Sequence, residues 1–180
     1  SGPGTNPGND TLDGGAGADT LRGGAGDDYY RANSQDTVVE LAGEGTDTVE
    51  TDDWSYELGA NVENLVMTSQ NEVHIAVGNE LNNEITGSDG LGYLVGEGGD
   101  DTLRAGDGGS NLYGGDGSDL LIGGAGDDDL QGDTMNSGPG TNPGNDTLDG
   151  GAGADTLSGG AGDDYYRANS QDTVVELAGE

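Results

Sequence analysis

Aspartate recurs in this chain at a fixed interval. Asp10, Asp19 and Asp28 follow one another at a nine-residue step, and the same step links Asp119 to Asp128 and Asp146 to Asp155 and Asp164. Asp101 stands two such steps before Asp119. Carboxylates can act as general acids and bases, or as ligands for hard cations. Paired carboxylates also suit glycoside hydrolysis. A long series set between glycine turns is better explained as a row of cation ligands.

The other reactive residue types narrow the chemistry further. His74 is the one histidine, cysteine is absent, and all 4 basic residues are arginine. A zinc protease needs a second histidine, and no G-x-S-x-G elbow is present. Without lysine, Schiff-base chemistry is excluded. We therefore expect no catalytic residue in this chain. All-oxygen ligands disfavour zinc and copper, and Mg²⁺ prefers a tighter octahedron with retained water, which leaves Ca²⁺. The formal charge of -32 from 36 acidic residues repels phosphate, so neither nucleic acid nor an anionic membrane is expected as a partner. No stretch approaches the roughly 18 apolar residues of a membrane helix.

Glycine must position these carboxylates. Most of the 39 glycines hold phase with the aspartates in a nine-residue pattern, G-G-x-G-x-D-x-U-x, where U is a large apolar residue. Gly14–Arg22, Gly23–Arg31, Gly96–Arg104, Ala105–Tyr113, Gly114–Ile122, Gly123–Gln131, Gly150–Ser158 and Gly159–Arg167 follow it clearly. Thr5–Asp13, Ala42–Glu50, Gly78–Thr86 and Gly87–Val95 follow it weakly. A longer, 136-residue repeat encloses the short one. Ser1–Glu44 recurs as Ser137–Glu180, with Arg22 against Ser158 as the single difference.

The nonapeptides resemble the RTX (repeats-in-toxin) calcium-binding repeats of type I-secreted bacterial proteins. Six consecutive copies in one phase, from 78 to 131, carry the resemblance. It implies an all-β fold: a right-handed parallel β-roll, or β-solenoid, with Ca²⁺ in the glycine-aspartate turns. Two nonapeptides make one coil of about 18 residues, six residues of turn followed by three of strand in each. Position eight (Leu12, Leu21, Tyr30, Leu94, Leu103, Leu112, Leu121, Leu130) points inward.

Stacked coils lie about 4.8 Å apart, so aspartates one coil apart face one another. We expect the pairs Asp10–Asp28, Asp101–Asp119, Asp128–Asp146 and Asp146–Asp164. Two such carboxylates about 5 Å apart repel by roughly 3 kcal/mol at an effective dielectric of 20, and an intervening Ca²⁺ reverses the sign. The expected metal ligands are Asp10, Asp19, Asp28, Asp101, Asp119, Asp128, Asp146, Asp155 and Asp164, with carbonyls of the adjoining turns, binding several Ca²⁺ ions. Asp47 and Asn83 are weaker candidates, and Gly92 and Ser110 lack the carboxylate. Asp19 and Asp155 are expected to face poor partners, Thr37 and Ser137.

This reading divides the chain into a calcium block (1–31), metal-poor solenoid or linker strands (32–77), a second block (78–131), a junction loop (132–140) and the start of the next long unit (141–180). Val62, Leu65, Met67, Val73, Ile75 and Val77 are expected in the core, with Trp54 and Tyr56 over its edge. The expected function is a calcium-dependent structural repeat of an extracellular bacterial fibre, surface layer or adhesin, which folds and rigidifies on Ca²⁺ after secretion. The alternative is a C-terminal secretion and folding domain of a secreted enzyme or toxin. Expected partners are calcium and the neighbouring repeat units of the chain, with self-association and cell-surface contacts left open.

Overall fold

The computed structural model describes residues 7–69, 73–133 and 144–176. Short strands alternate with glycine turns: β1 (Thr11–Asp13), β2 (Thr20–Leu21), β3 (Tyr29–Arg31), β4 (Thr37–Val38), β5 (Thr48–Thr51), β6 (Ser55–Glu57), β7 (Asn64–Met67), β8 (Val73–Val77) and β9 (Glu84–Thr86). They continue as β10 (Leu91–Gly98), β11 (Thr102–Arg104), β12 (Asn111–Asp116), β13 (Leu120–Gly124), β14 (Asp129–Gln131), β15 (Thr147–Gly151), β16 (Thr156–Ser158), β17 (Tyr165–Arg167) and β18 (Thr173–Val174).

Every odd-numbered strand lies in one nine-stranded sheet, in sequence order. The even-numbered strands form a seven-stranded sheet from β6 to β18 and a two-stranded sheet of β2 and β4. Within each sheet every strand pairs in parallel with the next-but-one, as when Leu94 lies beside Leu112 and Leu112 beside Leu130. A chain whose alternate strands belong to alternate sheets is a coil. It is an all-β parallel β-roll of about 8 turns, as the nonapeptide spacing predicts.

Position eight builds the core. One ladder runs Leu12, Tyr30, Val49, Leu65, Ile85, Leu103, Leu121, Leu148 and Tyr166 up the nine-stranded sheet. The other runs Tyr56, Ala76, Leu94, Leu112, Leu130 and Leu157. The two ladders supply most of the buried apolar core. Each buried leucine contributes roughly 1.5–3 kcal/mol.

The strand Val73–Val77 takes the opposite phase to the one expected. His74 and Ala76 face inward, Val73 is exposed, and Ile75 and Val77 are half-buried. A short alternating run fits a sheet in either phase, and stacking decides between them. Gly92 sits over His74 and Leu94 over Ala76, so the small residue lies under the leucine ladder. Val62, Leu65 and Met67 are buried as expected; Tyr56, expected over the core's edge, is instead buried in the second ladder, and Trp54 is 62% exposed.

Coil length is not constant. The step is 18 residues from Asp10 to Asp28, 19 from Asp28 to Asp47 and 16 from Asp47 to Glu63. A still longer step carries Leu121 onto Leu148 and Leu130 onto Leu157. The expected junction loop falls largely on 134–140, outside the described residues, as does Ser137, the expected partner of Asp155.

Candidate metal centre in the glycine turns

Position-six residues form two columns, one on each edge of the roll. On the first edge the backbone N–H of Asp10 donates to Asp28 Oδ1, that of Asp28 to Asp47 and that of Asp47 to Glu63. The column continues from Asn83 to Asp101, then to Asp119, Asp146 and Asp164, each at 2.7–2.8 Å. On the second edge Gly92 donates to Ser110 Oγ, Ser110 to Asp128, Asp128 to Asp155 and Asp155 to Asp172. From Asp28 upward, each position-six carboxylate in these columns holds the amide of the coil before it.

This corrects part of the expected pairing. Asp10–Asp28, Asp101–Asp119 and Asp146–Asp164 stack as expected. Asp128 stacks on Asp155, and Asp146 on Asp119, because the step across 134–143 is 27 residues. Asp19 faces Asp36 rather than Thr37, since that coil is one residue short. Asp155 lies between Asp128 and Asp172.

Eight of these aspartates use only one carboxylate oxygen. The Oδ2 atoms of Asp28, Asp47, Asp101, Asp119, Asp128, Asp146, Asp155 and Asp164 are buried without a hydrogen-bond partner, as is Glu40 Oε2. Buried unsatisfied carboxylate oxygens are costly. Burial pushes the carboxyl of Asp101 up to about 8, those of Asp146 and Asp47 to about 7, and those of Asp119 and Asp128 to about 6. Neighbouring carboxylates raise each of these further, while the backbone donor lowers it.

The orphan oxygen points at the glycine of position one. A Cβ on Gly96 would lie 2.1 Å from Asp101 Oδ2 and 2.5 Å from the Gly114 carbonyl oxygen. On Gly114 it would meet Asp119 Oδ2 at 2.2 Å and the Gly132 carbonyl at 2.5 Å. The missing side chain thus leaves a cradle of carboxylate and carbonyl oxygen. Gly115 and Gly117, at φ 122° and 126°, turn the backbone through a region that favours glycine. Hard oxygen atoms in a flexible backbone frame fit Ca²⁺.

A family model described as the RTX calcium-binding nonapeptide repeat (4 copies) matches residues 5–39, 77–110, 95–130, 105–137 and 140–175, together more than half of the chain. The chain belongs to the RTX calcium-binding nonapeptide repeat family. No curated protein and no solved structure gave a match.

Within this RTX roll the expected ligands are not equivalent. Asp10 and Asp19 are half-buried, unlike Asp28, Asp101, Asp119, Asp128, Asp146 and Asp155. Asn83 is buried, and its amide is engaged: Oδ1 accepts from Asn79, and the nitrogen donates to the Val62 and Glu63 carbonyls. Ser110 meets its own needs by donating to the Gly108 carbonyl. His74 occupies the second column one coil below Gly92. Its ring fills the space that Gly92 and Gly87 leave, with Nε2 2.9 Å from where either Cβ would sit, and burial lowers its pKa. The turn edge there is closed by an imidazole.

Some contributors were not foreseen from the sequence. Asp36, Glu63 and Asp172 occupy position six in coils whose length departs from the regular one, so a fixed period passes over them. Asp36 and Asp172 also differ chemically, because their second oxygens accept from Asn33 and Asn169. Position five forms an outer ladder in the opposite sense, with Ser118 donating to Asp100 and Asp163 to Asn145. Its signal was visible as Asn, Asp or Ser before the repeated aspartate.

Proposed function

We propose that this RTX segment is a calcium-folded structural repeat of an extracellular bacterial fibre, surface layer or adhesin. The observation that carries the reading is the set of eight aspartate oxygens buried without partners on the turn edges of the described residues. Without a cation, the fold concentrates repelling charge. With Ca²⁺ between the coils, the same oxygens and the turn carbonyls become a cross-link. Low cytosolic calcium then leaves the chain unfolded for export, and millimolar external calcium folds it, the affinity range of extracellular calcium modules.

The second copy of the 136-residue repeat supports an array over a single folding tail. Strand pairing from β13 to β15 and from β14 to β16 carries the coil from one long unit into the next. Circular dichroism tests the reading. At a pH of about 8, above the raised carboxyl pKa values, the spectrum in several millimolar calcium is that of a β protein, and in EDTA it is that of an unfolded chain. Equal spectra under the two conditions would overturn the proposal.

A further inference from the structure

The first calcium block is followed by a coil that departs from the glycine pattern, most notably at Glu40. Thr37 pairs with Thr20 and Val38 with Leu21, so the same register sets Glu40 over Gly23. Gly23 is a position-one glycine whose Cβ would meet Asp28 Oδ2 at 2.0 Å. Glu40 therefore stands at position one of its own coil, where most of the clear repeats carry glycine. Its side chain is 4% exposed and lies with Asp28 and Asp47, which are 2% and 1% exposed.

One carboxylate oxygen from each of the three lies within 4.8 Å of the others. Asp28 Oδ2, Asp47 Oδ2 and Glu40 Oε2 all lack a hydrogen-bond partner. Tyr30 explains how Glu40 is held. It takes the inward position usually filled by leucine, accepts the Gly23 N–H at 2.7 Å and donates its hydroxyl to Glu40 Oε1. The arrangement occurs again: Tyr166 accepts the Gly159 N–H at 2.7 Å and hydrogen-bonds to Glu176. Tyrosine at position eight and a glutamate in the following coil are thus a pair that recurs with the long repeat.

We propose that Asp28, Glu40 and Asp47 together hold one calcium ion in a three-carboxylate site, with Glu40 as a ligand that the nonapeptide does not supply. The proposal rests on the calcium reading of the turns. Three carboxylate oxygens within 4.8 Å of one another repel strongly when buried, and a divalent cation removes that repulsion. Ligand charge sets calcium affinity, so this site fills before those with fewer carboxylates. Its occupation ties the irregular coil 32–47 to the block that precedes it.

The test is calcium titration against a chromophoric chelator, with a direct count of bound ions, on the whole chain and on Glu40→Gln, Asp47→Asn and Asp119→Asn. Glu40→Gln and Asp47→Asn are expected to lose one ion and to weaken the tightest step at least tenfold, with an unchanged spectrum at saturating calcium. Asp119→Asn should leave the tightest step in place. Glu40→Gln with the wild-type ion count and tightest step overturns the three-carboxylate site alone, whereas a wild-type chain that binds no calcium overturns the calcium reading itself. Should Glu40→Gln fail to fold, terbium luminescence excited through tyrosine decides. A signal at the first equivalent that falls by more than half in Tyr30→Phe supports the site, and an undiminished signal overturns it.

Discussion

Asp101 shows the electrostatics of one turn. Its Oδ1 accepts the amide of Asn83, its Oδ2 has no partner, and burial pushes its carboxyl up to about 8. Asp146 and Asp47 follow at about 7, and Asp119 and Asp128 at about 6. In the cation-free chain these groups bind protons more tightly when folded than when unfolded. Their contribution to stability is fully present below the ordinary carboxylate range and is lost as pH rises through about 6 to about 8. Circular dichroism in EDTA should therefore show more β structure at pH about 5 than at pH about 8. Calcium affinity should move the other way, weakening on acidification as protons compete for the same oxygens. Glycine tests a second aspect of the turn. Glu97 holds position two at φ 79°, where the equivalent Gly115 has φ 122°. Glu97→Gly should stabilise the calcium form by about 1 kcal/mol in chemical denaturation. Gly114→Ala drives a Cβ to 2.2 Å from Asp119 Oδ2. It should cost about 2 kcal/mol and weaken calcium binding.

At the scale of the coil, the periodic part of the chain was legible in advance and the irregular part was not. Leu94, Leu103, Leu112, Leu121 and Leu130 are all buried, as position eight requires. In β8 the residues alternate, but nothing local says which set faces in. The answer comes from the coil above, where Leu94 covers Ala76. Val73→Thr should thus change stability by less than about 0.5 kcal/mol, since Val73 is exposed. Leu94→Ala should cost about 2–5 kcal/mol, and urea denaturation in calcium separates the two. The column partners of Asp19, Asp128 and Asp155 were missed for a related reason. Register is a property of the stacked coils, and a coil of 17 or 27 residues shifts every partner beyond it. Glu40 was missed because it stands where the pattern asks for glycine, and only the stacking of β4 on β2 brings it beside Asp28.

For the whole molecule, the coil couples the two scales of repeat. Leu12 and Leu148 are equivalent residues of successive long units, and they lie seven strand steps apart along the nine-stranded sheet. At about 4.8 Å per step, each 136-residue unit advances the roll by about 34 Å. Each coil touches chiefly its neighbours, so stability accumulates from one interface to the next. Every calcium ion between coils strengthens such an interface, and its removal restores carboxylate repulsion there. Chains carrying one, two and three long units should therefore lengthen in calcium by a constant increment of about 34 Å per unit in small-angle X-ray scattering. In EDTA the same series should follow the scaling of unfolded chains, with dimensions growing as a fractional power of length. An increment well below that value in calcium would mean that successive units fold back on one another, and the array reading would then fail while the calcium chemistry of each turn stood.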